Sequence, residues 1–326
     1  MQAPHFWYRS SGFLSRLLKP LGIVYGYFTA RRFRKTMPYQ TGIPVVCVGN
    51  LSVGGTGKTP VCLALMDLMR RFQKKIFFLN HGYKSRLKNI LVNPMIHSAL
   101  DVGDEALLLS QKAPTIVDNQ RARGAQLAVR HHAQGIIMDD GFQNPSLIKT
   151  LSFVVVDGVL GFGNQSVIPA GPLREPVDVG LKRADAVIIV GQDVWNTRSF
   201  LMQRGFDLPI FSGSFVLNPR IVARLREEHV FAFAGIGNPD KFFESLRMNG
   251  IFVDKTQKFP DHYQYTRFDL ERLCEVSKGL TLVTTTKDAV KIPKEFHGKI
   301  VVADGIFKFD DEKGVCTLLK GIFDDE

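Results

Sequence analysis

VVCVGNLSVGGTGKTP, residues 45–60, decides the fold. Val45, Val46, Cys47 and Val48 form a short apolar run that reads as a buried strand. A glycine-rich turn follows. Gly57, Lys58 and Thr59 then open a helix over residues 61–72, with Pro60 in its first turn, where a missing N–H costs little. Strand, glycine turn, Gly-Lys-Thr and helix make a phosphate-binding loop. Its backbone N–H groups and helix N-terminus suit phosphate oxygens, Lys58 reaches the β/γ-phosphates, and the Thr59 hydroxyl suits Mg²⁺. The nucleotide-holding residues are Ser52, Gly54, Gly55, Thr56, Gly57, Lys58 and Thr59. Ser52 departs from the general pattern, which has glycine five residues before Gly57.

Working outward, GIIMDDGFQ at residues 135–143 is the second informative stretch. An acid at the end of a strand neighbouring a phosphate loop holds or orients Mg²⁺, and Asp139 and Asp140 sit where that acid belongs. Further strands are expected at residues 75–80, 114–118, 152–157 and 186–190, with helices at 102–111 and 119–132. Six strands alternating with helices over residues 43–190 predict an α/β fold of the P-loop NTPase type, a parallel sheet with helices on both faces. The Gly- and Pro-rich residues 161–176 make an ordered loop in which Arg174 and Glu175 are ligand candidates.

A second, smaller α/β unit follows, with strands at 230–234, 251–253 and 282–286 and a helix at 240–248. Residues 210–217 and 299–303 are expected as the out and back strands of a two-stranded linker. This places domain boundaries at 36–205 and 206–307. A helix at 308–326 is expected to return to the first domain. In FPDHYQY, residues 259–265, Asp261 and His262 by themselves read as a surface turn. TTTKDAVK, residues 284–291, lacks the spacing of a guanine-reading signature.

The 326 residues are 45% hydrophobic and 22% charged, enough for a sizeable core. Cys47, Cys62, Cys274 and Cys316 show no paired spacing, which predicts reduced thiols and excludes a disulfide framework or Cys-rich zinc site. The net charge of +11 is uneven: residues 1–100 carry 15 Lys and Arg against one acid, Asp67. That excess favours an anionic partner. Residues 1–35 form an amphipathic segment. Within it, residues 13–35 repeat apolar residues at helical spacing and close on Arg31, Arg32, Arg34 and Lys35. The longest uncharged stretch is residues 20–30, far short of the roughly 20 residues of a spanning helix. Two readings stay open: a helix in the membrane interface with Phe6, Trp7 and Tyr8 as anchors, or one packed on the protein core. Pro20 allows two short helices instead of one.

Taken together, VGNLSVGGTGKTP, GDEALLL, DDGFQ, FGN…PAGPLREP, AFAGIGNP, DH and TKDAVK resemble the tetraacyldisaccharide 4′-kinases, the lipid A 4′-kinases of Gram-negative bacteria. The likeness runs in order from about residue 13 to 291, and the Ser52 departure looks like the family's own form. It implies transfer of the ATP γ-phosphoryl group to the 4′-hydroxyl of a tetraacyldisaccharide 1-phosphate, in lipid A biosynthesis at the cytoplasmic face of the inner membrane. It also implies roles. Lys58 and Thr59 match the phosphate and Mg²⁺ residues, and Asp139 and Asp140 the metal-site acids. Asp104 matches the general base and His262 its partner. Tyr83, Arg123, Gln143, Arg174 and Glu175 fall among other active-site positions. His81, Asn144 and Thr286 replace the arginine, histidine and glutamate usual in the family, which bears on how the anionic substrate is held. The rival readings are a phosphate-loop kinase or hydrolase of a small soluble substrate, and a membrane-associated nucleotide switch without transfer activity. Nucleic acid finds no reading motif.

Overall fold

The parallel strands form because their apolar runs are buried on both faces, as a sheet covered by two helix layers requires. In the computed structural model, which describes residues 4–9 and 12–324, these runs build a nine-stranded sheet. Residues 1–3, 10 and 11 of the expected N-terminal segment, and 325–326 of the expected C-terminal helix, lie outside the described residues. The strands in chain order are β1 (Val45–Gly49), β2 (Ile76–Asn80), β3 (Ile90–Leu91), β4 (Thr115–Val117), β5 (Gly135–Asp139), β6 (Leu151–Asp157), β7 (Ala186–Val190) and β8 (Ile210–Leu217). They continue as β9 (His229–Ala234), β10 (Phe252–Lys258), β11 (Thr281–Thr285), β12 (Ile300–Ala303) and β13 (Gly305–Phe309). The large sheet has the order β13-β8-β7-β6-β1-β5-β2-β4-β3. Only its two edge strands run antiparallel to their neighbours, β3 to β4 and β13 to β8.

One face of this sheet is covered by the helices Lys58–Arg70, Asp104–Ser110 and Glu312–Asp324, through Val61, Leu65, Leu109, Val315 and Leu319. The other is covered by Arg121–Arg130, Val177–Leu181 and Thr197–Gln203, through Ala125, Ala128, Leu181 and Leu201. Because the central strands are parallel, their carboxyl ends share one edge, where the crevice of an open α/β sheet forms. The phosphate loop, Asn80, Asp139 and Asp157 all leave the sheet there.

The smaller sheet, β10-β9-β11-β12, is wholly parallel. Its covering helices include Pro219–Leu225 and Pro239–Met248 on one face and Arg267–Ser277 on the other. Here the linker expectation needs correcting. Residues 300–303 are not the returning strand: β12 pairs with β11 inside the small sheet. The return is β13, which pairs with β8 in the large sheet from Gly305 opposite Leu217 to Phe309 opposite Gly213. Asp304 alone separates β12 from β13, two strands with different partners. The linker strands are thus also edge strands of the large sheet.

Residues Phe13–Lys35 form one continuous helix that accommodates Pro20. Its buried positions are small, Ser15 and Gly22. The Ser15 hydroxyl donates to the Ala170 carbonyl at 2.9 Å, and a Cβ at Gly22 would stand 2.7 Å from the Val167 oxygen. The large apolar residues face outward: Phe13, Leu17, Leu21, Val24 and Phe28 are more than half exposed. Phe6, Trp7 and Tyr8 are half-buried, and the Trp7 indole donates to the Pro169 carbonyl at 3.0 Å.

Candidate active site

The phosphate loop starts where β1 ends. Gly54 and Gly57 take φ of 116° and 89°, a region closed to most side chains, and Gly57 caps the helix Lys58–Arg70. Ser52 needs no such freedom. It forms a short antiparallel bridge with Leu173, flanked by Val53 N–H to Pro172 O and Arg174 N–H to Leu51 O, each 2.7 Å. The loop of residues 161–176 therefore braces the phosphate loop through backbone contacts in which Ser52 takes part. Lys58 lies 3.8 Å from Asp140.

The two strand-end acids differ in surroundings. Asp139 is buried between the Thr59 hydroxyl at 3.5 Å and the Asn80 amide at 3.2 Å. Burial, reinforced by Glu105 and Asp140, pushes its pKa up to about 7. Burial would raise Asp140 as well, but Lys58 and Arg174 outweigh it and bring it down to about 2. Arg174 grips both Asp140 oxygens, at 2.8 and 3.3 Å, and also donates to Gln143 at 3.2 Å. Gln143 in turn donates to the Asn50 carbonyl at 2.8 Å and to Glu175 at 3.0 Å. Glu175 pairs with Arg183, whose guanidinium stacks over Phe33 of the N-terminal helix.

No group of three or more His, Cys, Asp or Glu that could hold a metal occurs among the described residues. Mg²⁺ needs less, since one or two carboxylates suffice when phosphates and water fill its sphere. A hydroxyl and a buried carboxylate meeting at the phosphate loop, the latter with its pKa raised by burial and by Glu105 and Asp140, fit such an ion.

Asp104 opens the helix Asp104–Ser110 after Gly103, at φ 89°. A side chain at 103 would also crowd the Tyr83 carbonyl at 3.1 Å. From the second domain, the His262 imidazole nitrogen Nδ1 reaches the Asp104 oxygens at 2.8 and 3.0 Å. His262 adopts φ 60°, a strained choice for this residue and of the kind concentrated at functional sites. Burial opposes ionisation of Asp104, but the His262 hydrogen bond and then Lys287 prevail, so its pKa lies below the usual carboxylate value. The Tyr83 ring lies 5.0 Å from that of His262. Further pairs cross between the domains: Lys287 to Glu105 at 3.0 Å, Lys241 to Asp157 at 2.9 Å and Lys291 to Asp104 at 4.0 Å.

A sequence profile of the tetraacyldisaccharide-1-P 4′-kinases matches residues 14–323. The chain belongs to this kinase family. Among curated members, the tetraacyldisaccharide 4′-kinase of Rhodospirillum rubrum is 44% identical over 317 residues, 95% of each chain. That of Paramagnetospirillum magneticum is 42% identical over 328 residues, 99% of this chain and 98% of the other. A crystal structure of LpxK from Aquifex aeolicus in complex with ATP shares the architecture, with a TM-score of 0.79 and 28% identity, over 95% of this chain and all of that one.

Against the residues singled out in the sequence, the kinase brings Lys58, Thr59, Asp139, Asp140, Gln143, Arg174 and Glu175 into one connected network and places Asp104, His262 and Tyr83 together. Arg123 stands apart: it is half-exposed and spent on Asp118, at 2.7 and 2.9 Å. The arginine at the centre is Arg121, fully enclosed, which donates to the carbonyls of Leu79, Asp139 and Asp140 at 3.2, 2.7 and 3.0 Å. Nothing in the sequence separates it from Arg123 two residues away. Glu105, Lys241 and Lys291 were also missed. No sequence spacing marks the lysines: Lys291 lies in the turn beyond the short helix Thr286–Ala289, and Lys241 lies in another helix.

Proposed function

We infer that this chain transfers the γ-phosphoryl group of ATP to the 4′-hydroxyl of a tetraacyldisaccharide 1-phosphate. Family membership supports the reaction, and the Asp104–His262 pair joined across the domain cleft is the observation that carries the mechanism. Phosphoryl transfer is chiefly positioning and charge stabilisation. Lys58 and the loop amides meet the β- and γ-phosphates. Thr59 and Asp139 would hold Mg²⁺, with Asp140 beside them, and the ion would supply positive charge for the phosphate oxygens. Asp104, kept ionised, accepts the proton of the attacking hydroxyl, and His262 orients it and shares that proton. Tyr83 offers a half-exposed ring to the sugar. Arg174, Gln143 and Glu175 fix Asp140 and the phosphate loop.

The substrate carries four acyl chains and stays in a bilayer, so the enzyme must meet it there. No helix among the described residues is long and apolar enough to cross a membrane. The outward-facing Leu17, Leu21, Val24 and Phe28 and the basic end at Arg31–Lys35 suit a helix lying in the interface of an anionic membrane. Peripheral attachment to the cytoplasmic face of the inner membrane follows from this reading. The test is incubation with labelled ATP, Mg²⁺ and a 1-phosphorylated tetraacyl disaccharide in mixed micelles. A doubly phosphorylated lipid is expected; ATP consumed with no label in lipid would overturn the assignment.

A further inference from the structure

We propose that Lys291 is a positioning residue for phosphoryl transfer: its ammonium group, carried by the second domain, holds the buried Asp104 carboxylate in its proton-accepting form. The proposal rests on the reading of Asp104 as the base.

The Lys291 side chain is wholly enclosed. Burying an ammonium group is costly unless it is paired and hydrogen-bonded. Its partners are Asp288 at 2.8 Å, the Gly235 carbonyl at 3.3 Å and, across the domain boundary, Asp104 at 4.0 Å. The Tyr265 ring lies beneath it, 5.5 Å away. Asp288 does not need this lysine for its hydrogen bonds. It already accepts from the Gly235 N–H at 3.1 Å, the Tyr265 hydroxyl at 3.0 Å and the Thr285 hydroxyl at 2.7 Å. Lys291 is the counter-charge of the buried Asp288 and also faces Asp104 across the domain boundary.

The charges around Asp104 show what this second contact does. On its own helix stands Glu105. From the turn after β10 come His262, in direct contact, and Asp261, 3.7 Å from the far His262 nitrogen. From the helix Thr286–Ala289 and the turn after it come Lys287, Asp288 and Lys291. Lys287 is taken up by Glu105. His262 and Lys287 also favour the ionised form; removing Lys291 takes one cation from a buried carboxylate that has Glu105, Asp261 and Asp288 near it, a change toward the protonated acid. A protonated Asp104 cannot take the hydroxyl proton.

The experiment is the pH dependence of kcat/KM for the lipid at saturating ATP, on the full chain. Lys291→Gln keeps a donor for Asp288 and Gly235 but removes the charge. Its acid limb is expected about one pH unit above that of the wild type, with the KM for ATP unchanged. Asp288→Asn acts with the opposite sign: it leaves the field of Lys291 on Asp104 uncompensated and moves the limb to lower pH. Should Lys291→Gln melt below the assay temperature, Asp288→Asn decides. A Lys291→Gln limb at the wild-type position, or an Asp288→Asn limb displaced upward, overturns the proposal. Asp104→Asn is run beside them; wild-type turnover in that variant would sink the base assignment itself, a separate failure.

Discussion

At the scale of single residues, the site depends on groups whose charge is set by burial and by one or two neighbours. Asp104 is the clearest. Replacing it by Asn keeps its shape and removes its basicity, so kcat should fall by about 100-fold or more while ATP affinity, read by calorimetry, stays within about twofold. The same variant reports on stability. The folded-state pKa of Asp104 lies below its ordinary value, so ionised Asp104 contributes stability that is present above about pH 4 and lost as pH falls through its folded pKa. The difference in unfolding free energy between wild type and Asp104→Asn should therefore shrink from pH 5 to pH 3, measured by urea titration. Arg121 poses a different question, since its hydrogen bonds go to backbone carbonyls. Arg121→Met leaves the carbonyls of Leu79, Asp139 and Asp140 without their buried donor, and a loss of about 2–4 kcal/mol is expected. An unchanged urea midpoint would refute this role. That Arg121 and not Arg123 occupies the centre was illegible in the sequence because both lie in one helix turn and only the tertiary fold chooses which is enclosed.

At the scale of elements, legibility follows burial. Strands such as β1, β6 and β7 are buried on both faces, so their sequences are almost wholly apolar and their ends are marked by Gly or Asp. The same feature located Asp139 and Asp140, because a strand-end acid can be read without knowing the neighbouring strand. Edge strands gave no such signal: β3 has two residues, and β13, one aspartate beyond β12, is not expected from the sequence, its last residues falling in the stretch read as a helix. The N-terminal helix had two readings in the sequence, and its orientation favours one. A helix that packed by its large residues would hide Leu17 and Phe28; this one docks through Ser15 and Gly22 and leaves them out. Two kinds of substitution should therefore part company. Leu17→Ser with Phe28→Ser should leave the melting temperature and ATP affinity unchanged and reduce sedimentation with anionic vesicles. Gly22→Leu should lower the melting temperature, because its side chain has no room beside Val167. Vesicle binding unaffected by the paired serines would remove the membrane role from this face.

At the scale of the whole molecule, the cleft is a contact between opposite charges. The second domain brings His262, Lys241, Lys287 and Lys291; the first offers Asp104, Asp157 and Glu105. These pairs lie far apart in sequence, Glu105 and Lys287 by 182 positions and Lys241 and Asp157 by 84. Periodicity could not have joined them, although each sits at an element's end. The two linker strands are built into the edge of the large sheet, so relative movement of the domains must be taken up near Asn218 and Asp304, where β8 leaves that sheet and β13 enters it. Closure then depends on pairs that remain partly open to solvent, with side chains of Lys287 and Glu105 about a quarter exposed. Salt should weaken them, since the Debye length shrinks from about 10 Å at 0.1 M to about 3 Å at 1 M. In the nucleotide-free enzyme, small-angle scattering should show a larger radius of gyration at 1 M than at 0.1 M NaCl. Glu105→Gln with Lys287→Met should already be expanded at low salt and respond less to added salt. An identical radius in all four measurements would mean that apolar packing, and not this charge contact, holds the domains together.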